Sequence, residues 1–123
     1  MRKISIRAAD VVMEAVLRDT PTADAIWAAL PITGRVNTWG DEIYFSTPVS
    51  CGRETDAKAV MEPGEIAYWP DGDAIAIGYG PTPISQSDEI RLASPSNVWA
   101  DADGDVRAFA DVPSGATVEV RAV

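Results

Sequence analysis

The sequence predicts a small all-β domain, a sandwich or a barrel, with one short α-helix. Three observations carry this prediction: short stretches of period-two alternation, strong turn signals between them, and a single segment with helical spacing and helical punctuation.

The first strand is read over Lys3 to Ala8, where Ile4, Ile6 and Ala8 alternate with Lys3, Ser5 and Arg7. Val12 to Leu17 is more uniformly apolar. Its place between that strand and the break at Thr20-Pro21 makes it a second strand. The helix follows. Thr20 can cap it, and Pro21 stands at the first helical position, where a missing N–H costs nothing. Ala23, Ile26, Trp27 and Leu30 share one face at three- and four-residue spacing, and Pro31 ends the segment. A helix this short is unstable alone in water, so it must pack on a sheet or close a barrel end. From Ile32 onward the chain reads as short strands. Glu42 to Ser46 is an aromatic-rich strand, Pro63-Gly64 suits the centre of a type II turn, and Glu65 to Trp69 is the next strand. Asp71-Gly72 turns the chain into Ala74 to Tyr79. Asn97 to Trp99, Asp103-Gly104 and Val106 to Ala110 read as a hairpin, and Thr117 to Arg121 as the last strand. Two stretches lack strand character, Ser50 to Lys58 and Gly80 to Glu89; loops of that length tend to carry function or to stay mobile.

Residues 1–123 suit a single domain. Ten Lys and Arg against nineteen Asp and Glu give a net charge of -9, and no run of basic residues offsets it. Such a surface repels phosphate backbones and anionic headgroups, so neither nucleic acid nor a membrane surface is expected as a partner. Cys51 is the only cysteine, which rules out an intramolecular disulfide and suits a reducing compartment. The N-terminal residues run straight into a strand without a signal-peptide core, and no stretch has the length of a membrane span, so the expected location is cytoplasmic. There is no histidine. That removes the commonest general base, the Ser-His and Cys-His nucleophile systems and the usual zinc sites. No cofactor and no metal are expected, and the fold should depend on neither chelator nor reductant.

Four blocks in order resemble the cyclophilin-like family of unknown function from bacteria and archaea: Gly40 to Phe45, Gly64 to Pro70, Gly78 to Ser85 and Ser94 to Trp99. The resemblance implies a closed, roughly eight-stranded β-barrel with a helix near one end. It does not imply prolyl isomerase activity. True cyclophilins carry a Phe-His-Arg segment and a Gln-Gly-Gly segment, and the corresponding stretch here, Thr33 to Gly40, has Arg35 without the motif.

Arg35 and Asn37 share one strand face, with Trp39, Glu42 and Tyr44 close in sequence; together they can line a pocket of mixed polarity. The same residues also fit a solvated hairpin whose aromatics pack on the core. Tyr68, Trp69 and Tyr79 flank the Pro70-Asp71-Gly72 turn, and because neighbours in a strand point to opposite faces, only one of Tyr68 and Trp69 can be core. Gly80 to Pro83, with Thr82, can rim a binding mouth or simply end a strand. The acids Asp101, Asp103 and Asp105 imitate a calcium loop, but the sixth and twelfth positions of such a loop would be Val106 and Val112, so a hairpin turn explains them better. No pair of carboxylates is spaced as a catalytic dyad, and no Gly-rich phosphate loop is present. The reading is a small-molecule or peptide binding module, with a ligand surface at one barrel mouth formed by Arg35, Asn37, Trp39, Glu42, Tyr44, Tyr79 and Thr82. The alternatives are an enzyme, as a weak prolyl isomerase through Arg35 or a carboxylate-based catalyst, and a structural or assembly subunit.

Overall fold

The computed structural model describes residues 1–123. Ten strands are present: β1 Lys3–Ala8, β2 Val11–Leu17, β3 Ile32–Arg35, β4 Asn37–Thr38, β5 Glu42–Ser46, β6 Lys58–Met61, β7 Glu65–Trp69, β8 Ala74–Gly78, β9 Ile90–Ala102 and β10 Thr117–Ala122. Nine of them follow the order β3-β10-β1-β2-β9-β7-β8-β5-β4, and β6 adds to β9 off this path. Only Val36 separates β3 from β4 in the chain, so the two ends of the path are halves of one run and the sheet closes on itself. Around the ring this makes eight staves. The strand total exceeds the eight expected because that run breaks at Val36, where it changes partner, and because β6 is extra. Every ladder is antiparallel.

Alternation along the staves fills the barrel. Ile4 and Ile6 of β1, Ile43 and Phe45 of β5, Ile66 and Tyr68 of β7, Ile75 and Ile77 of β8 and Val118 and Val120 of β10 belong to one cluster of 24 buried residues. The helix α1, Pro21–Ala29, is capped as expected, with Thr20 Oγ1 accepting from Ala23 N–H at 3.0 Å. It sends Ala23 and Ile26 into the same cluster. The staves are hydrogen-bonded all round, so a helix reaches the interior only through an open end, here the end where β2 finishes. No helix is long and apolar enough to cross a membrane.

Two expectations need correction. Val106 to Ala110 is not a strand but part of a 3₁₀ helix, Val106–Asp111. Val106, Phe109 and Val112 are all buried, which is a period of three rather than two, and Asp105 caps the segment by accepting from Arg107 N–H at 3.0 Å. The other correction concerns β9, which begins at Ile90 and runs through Pro95. Proline donates no ladder hydrogen bond, and here it falls within a shift of register: Val60 of β6 faces Arg91, whereas Lys58 faces Ser96. The Pro63-Gly64 turn forms as read, with Gly64 at φ +91° and Glu65 N–H donating to Glu62 O at 3.1 Å.

The first half of β9 and β6 lie over the outer face of β7 and β8. Met61, Ile90 and Leu92 meet Ala67 and Ala76 there in a second, smaller core of five buried residues, against which Tyr44 and Val98 pack. One sector of the barrel wall is therefore apolar on both sides.

Candidate functional site

The candidate site lies at the border of that covered sector. On β5, Ile43 and Phe45 point inward, so Glu42 and Tyr44 point out. On β7, Tyr68 points inward and Trp69 out. Trp39 stands in the turn that joins β4 to β5, where its N–H donates to Glu42 O at 3.0 Å. With Ala93 of β9, these outward side chains enclose a pocket of about 280 Å³ lined by Trp39, Glu42, Tyr44, Trp69 and Ala93. It opens on the outer face of the wall and not at a barrel mouth, because the alternation of β5 directs its side chains there.

Contacts within the protein hold one side of this pocket. The Tyr44 and Trp69 rings meet edge to face, with centroids 6.4 Å apart and planes at 77°. Trp69 Nε1–H donates to Ser94 Oγ at 2.7 Å, and that hydroxyl donates to Asp71 Oδ2 at 2.8 Å. The indole is thereby held from both the β7 and the β9 side.

Glu42 is the polar exception in this pocket. Its side chain is buried, and Oε1 is sealed from solvent without a hydrogen-bond partner. Burial pushes its carboxyl up to about 7. Near neutral pH this group can donate a hydrogen bond as the acid or accept one as the carboxylate, which makes it the wall's adjustable element.

The structure brings together three of the seven residues read from the sequence, Trp39, Glu42 and Tyr44. Asn37 faces Tyr44 across the β4/β5 ladder and is exposed beside the pocket. Arg35 lies on the other half of the run, paired to β10, and its guanidinium donates to Gly115 O at 3.0 Å. Tyr79 packs against the main core from the inner side, and burial raises its phenol, with the Asp41 charge adding to the effect. Thr82 is buried; its hydroxyl donates to Arg91 O and its N–H to Ser85 Oγ at 2.9 Å, so it serves to tie the loop to β9. The two segments holding these residues do meet, through Asp41 N–H to Pro81 O at 3.0 Å and Tyr79 N–H to Asp41 O at 2.8 Å. Their side chains then diverge.

Trp69 and Ala93 complete the pocket. Alternation splits Tyr68 from Trp69 at the level of sequence, but the sheet register decides which of them faces Tyr44. Ala93 carries no sequence signal beyond the nearby Pro95. The three acids of the calcium-like run each face a different cation: Asp101 pairs with Arg18, Asp103 with Lys3 and Asp105 with Arg107. No three Cys, His, Asp or Glu side chains gather in a way that would hold a metal ion.

Comparison with known proteins agrees with this architecture. The family model described as cyclophilin-like matches residues 2–121. Among solved structures, the chain is similar to the hypothetical protein AF2241 from Archaeoglobus fulgidus, at 38% identity and a TM-score of 0.83, covering 98% of this chain and 93% of that one. It is also similar in fold to McbB, solved in complex with tryptophan, at 16% identity and a TM-score of 0.71, covering 96% of this chain and 44% of that one. No curated protein matches the chain.

Proposed function

Since the chain belongs to the cyclophilin-like family, and that shape alone fixes no reaction, we propose a function from the pocket itself: a binding module for a small, flat, largely apolar molecule with one hydrogen-bonding group. The observation that carries this reading is Glu42, a buried carboxyl without a partner beside three aromatic side chains. Buried polar groups are almost always satisfied, and an exception in a preformed apolar pocket is where a ligand supplies the missing partner. The volume of about 280 Å³ suits a molecule of one or two rings better than an extended peptide. McbB, seen with tryptophan, offers a precedent for a small aromatic molecule on this fold.

The test is a thermal-shift series with indole and L-tryptophan as probes, run on the unaltered chain and on Trp39→Ala. Trp39 is half-buried in a turn, so its removal should leave the barrel intact. A rise in Tm with either probe that disappears in W39A is the expected result. Shifts of equal size in both proteins, or none with either probe, would overturn the reading.

A second reading has one specific observation in its favour. A carboxyl held near 7 in an apolar pocket suits general acid–base work at neutral pH, so Glu42 would serve a catalyst as well as a binding wall.

A further inference from the structure

We propose that the occupant of the Glu42 pocket is an organic cation, a protonated amine carried on a flat apolar body, and that its capture converts Glu42 from acid to carboxylate. The inference rests on the binding reading above and narrows it to one chemical class.

Charge placement carries the argument. Eight of the ten Lys and Arg side chains stand within ion-pair distance of other acids. The remaining two are Arg7 on β1 and Arg35 on β3, the latter engaged with Gly115 O. None of the protein's cations pairs with Glu42. An ionised carboxylate in this place therefore lacks a countercharge, and an incoming ammonium group would supply both the charge and the hydrogen bonds that Oε1 lacks. Trp39, Tyr44 and Trp69 offer the remaining surface, and aromatic rings attract cations as well as flat apolar groups. An anionic ligand would meet the carboxyl and a chain of net charge -9, which disfavours it twice.

The titratable neighbours leave the carboxyl to respond alone. From β5 the only one lining the pocket is Tyr44, and opposite on β8 stands Gly78, without a side chain. Asp41, next in the chain, lies against Gly80. On β9, Arg91 is engaged by Glu89 at 2.6 Å. The β7 residue at the pocket, Trp69, does not titrate. Burial is the one cause that raises Glu42, and no neighbouring charge contributes.

The proton balance follows directly. Below neutral pH the free pocket holds Glu42 as the acid. The ammonium group keeps its own proton, and the carboxyl proton leaves to solvent, one per molecule bound. Above neutral pH the carboxylate already waits and nothing is released.

The experiment titrates 2-phenylethylamine and its neutral counterpart 2-phenylethanol into the unaltered chain, E42Q and W39A. It follows tryptophan fluorescence and calorimetric proton release from pH 5.5 to 8.5. We expect the amine to bind about tenfold tighter than the alcohol at pH 8 and to lose about tenfold in affinity per pH unit below 7. E42Q should erase the preference for the amine and its pH dependence, whereas W39A should weaken amine and alcohol alike. Equal, pH-independent affinities that both fall in W39A would overturn the cation inference and leave the pocket reading standing. Binding that W39A leaves unchanged, or no binding of either probe, would overturn both. Should E42Q not fold, the pH series and proton count on the unaltered chain decide the matter alone.

Discussion

Ile90 Cγ2 occupies the space over Gly78 that any side chain at that position would need. Gly78 faces Glu42 across the β5/β8 ladder, and the missing side chain lets the first half of β9 lie directly on the wall. Gly78→Ala would force Ile90 outward and, with it, the small outer core beside the pocket. We expect a loss of about 1–3 kcal/mol, the usual cost of overpacking, read from urea denaturation midpoints. A midpoint unchanged by G78A would mean that the covering strand shifts freely and does not brace the pocket.

The buried carboxyl predicts a dependence of stability on pH. Glu42 titrates at about 7 in the folded chain, raised by burial from an ordinary 4.5. Between those two values the folded chain binds the extra proton and the unfolded chain does not, so stability falls as pH rises through that window and stays lowered above it. The full difference is on the order of 3 kcal/mol. Glu42→Gln, which keeps the shape without the charge, should match the parent near pH 4 and exceed its stability at pH 8. Asp101 does not blur the result: its hydrogen bond to Arg18 holds it below its ordinary value, so its contribution is lost only under acid. Parallel curves for the two proteins from pH 4.5 to 8 would contradict the assignment.

Glu65 presents the opposite case, a buried carboxylate with more partners than any other. Lys58 Nζ lies 2.7 Å from it, Arg18 Nη2 3.0 Å, and Glu62 N–H donates to it at 2.7 Å. Burial alone would raise its pKa, but these three partners outweigh it and hold the carboxyl low. It joins β6, β7 and the segment that follows β2 and, through Arg18 and Asp101, β9. Glu65→Ala leaves two cations and a backbone donor short of a partner, for an expected loss of about 1–3 kcal/mol, limited because both cations reach water. Lys58→Met should cost under about 1 kcal/mol. Chemical denaturation of the two variants separates the hub from its spoke, and equal losses would contradict the ranking.

Much of the barrel was legible in local sequence. The alternation of β1, the aromatic-rich run of β5, the Thr20-Pro21 helix start and the Pro63-Gly64 turn each follow from short-range rules that tertiary structure left in force. The second core was less visible. Ala74 to Gly78 is apolar on both faces, a sign of burial from two sides, but the cover comes from Ile90 and Leu92, in a stretch to which no local pattern assigned a strand. The site followed the same division. Trp39, Glu42 and Tyr44 belong to one hairpin, so proximity in sequence became proximity in space. Arg35 and Asn37 share a face by spacing, but the strand changes partner at Val36. One residue sits over β10 and the other over β5. Which of two adjacent aromatics would meet Tyr44 depended on a register that no local rule supplies.

Asn97 tethers the long loop between β5 and β6. This side chain is fully buried on β9 and uses both ends of its amide. Oδ1 accepts from Glu54 N–H at 2.8 Å, while Nδ2 donates to Gly52 O at 2.9 Å and to Thr22 Oγ1 at 3.0 Å. Glu54 in turn accepts from the Thr22 N–H and hydroxyl, at 3.0 and 2.6 Å, so strand, helix and loop share one network. Asn97→Ala would leave three groups short of a partner. Gly52 is exposed and recovers its bond from water; the other two do not recover fully, so we expect a loss of about 2–4 kcal/mol. Hydrogen exchange should localise it: the Glu54 amide should lose protection, while β1 amides such as Ile6 keep theirs. A competing tether exists nearby, since the Tyr68 hydroxyl accepts from Cys51 N–H at 3.0 Å and lies 2.8 Å from Val49 O. Tyr68→Phe tests that alternative. If N97A leaves the Glu54 amide protected and Y68F exposes it, the loop is held from the barrel interior through Tyr68, and the helix-to-strand network serves only to seat α1.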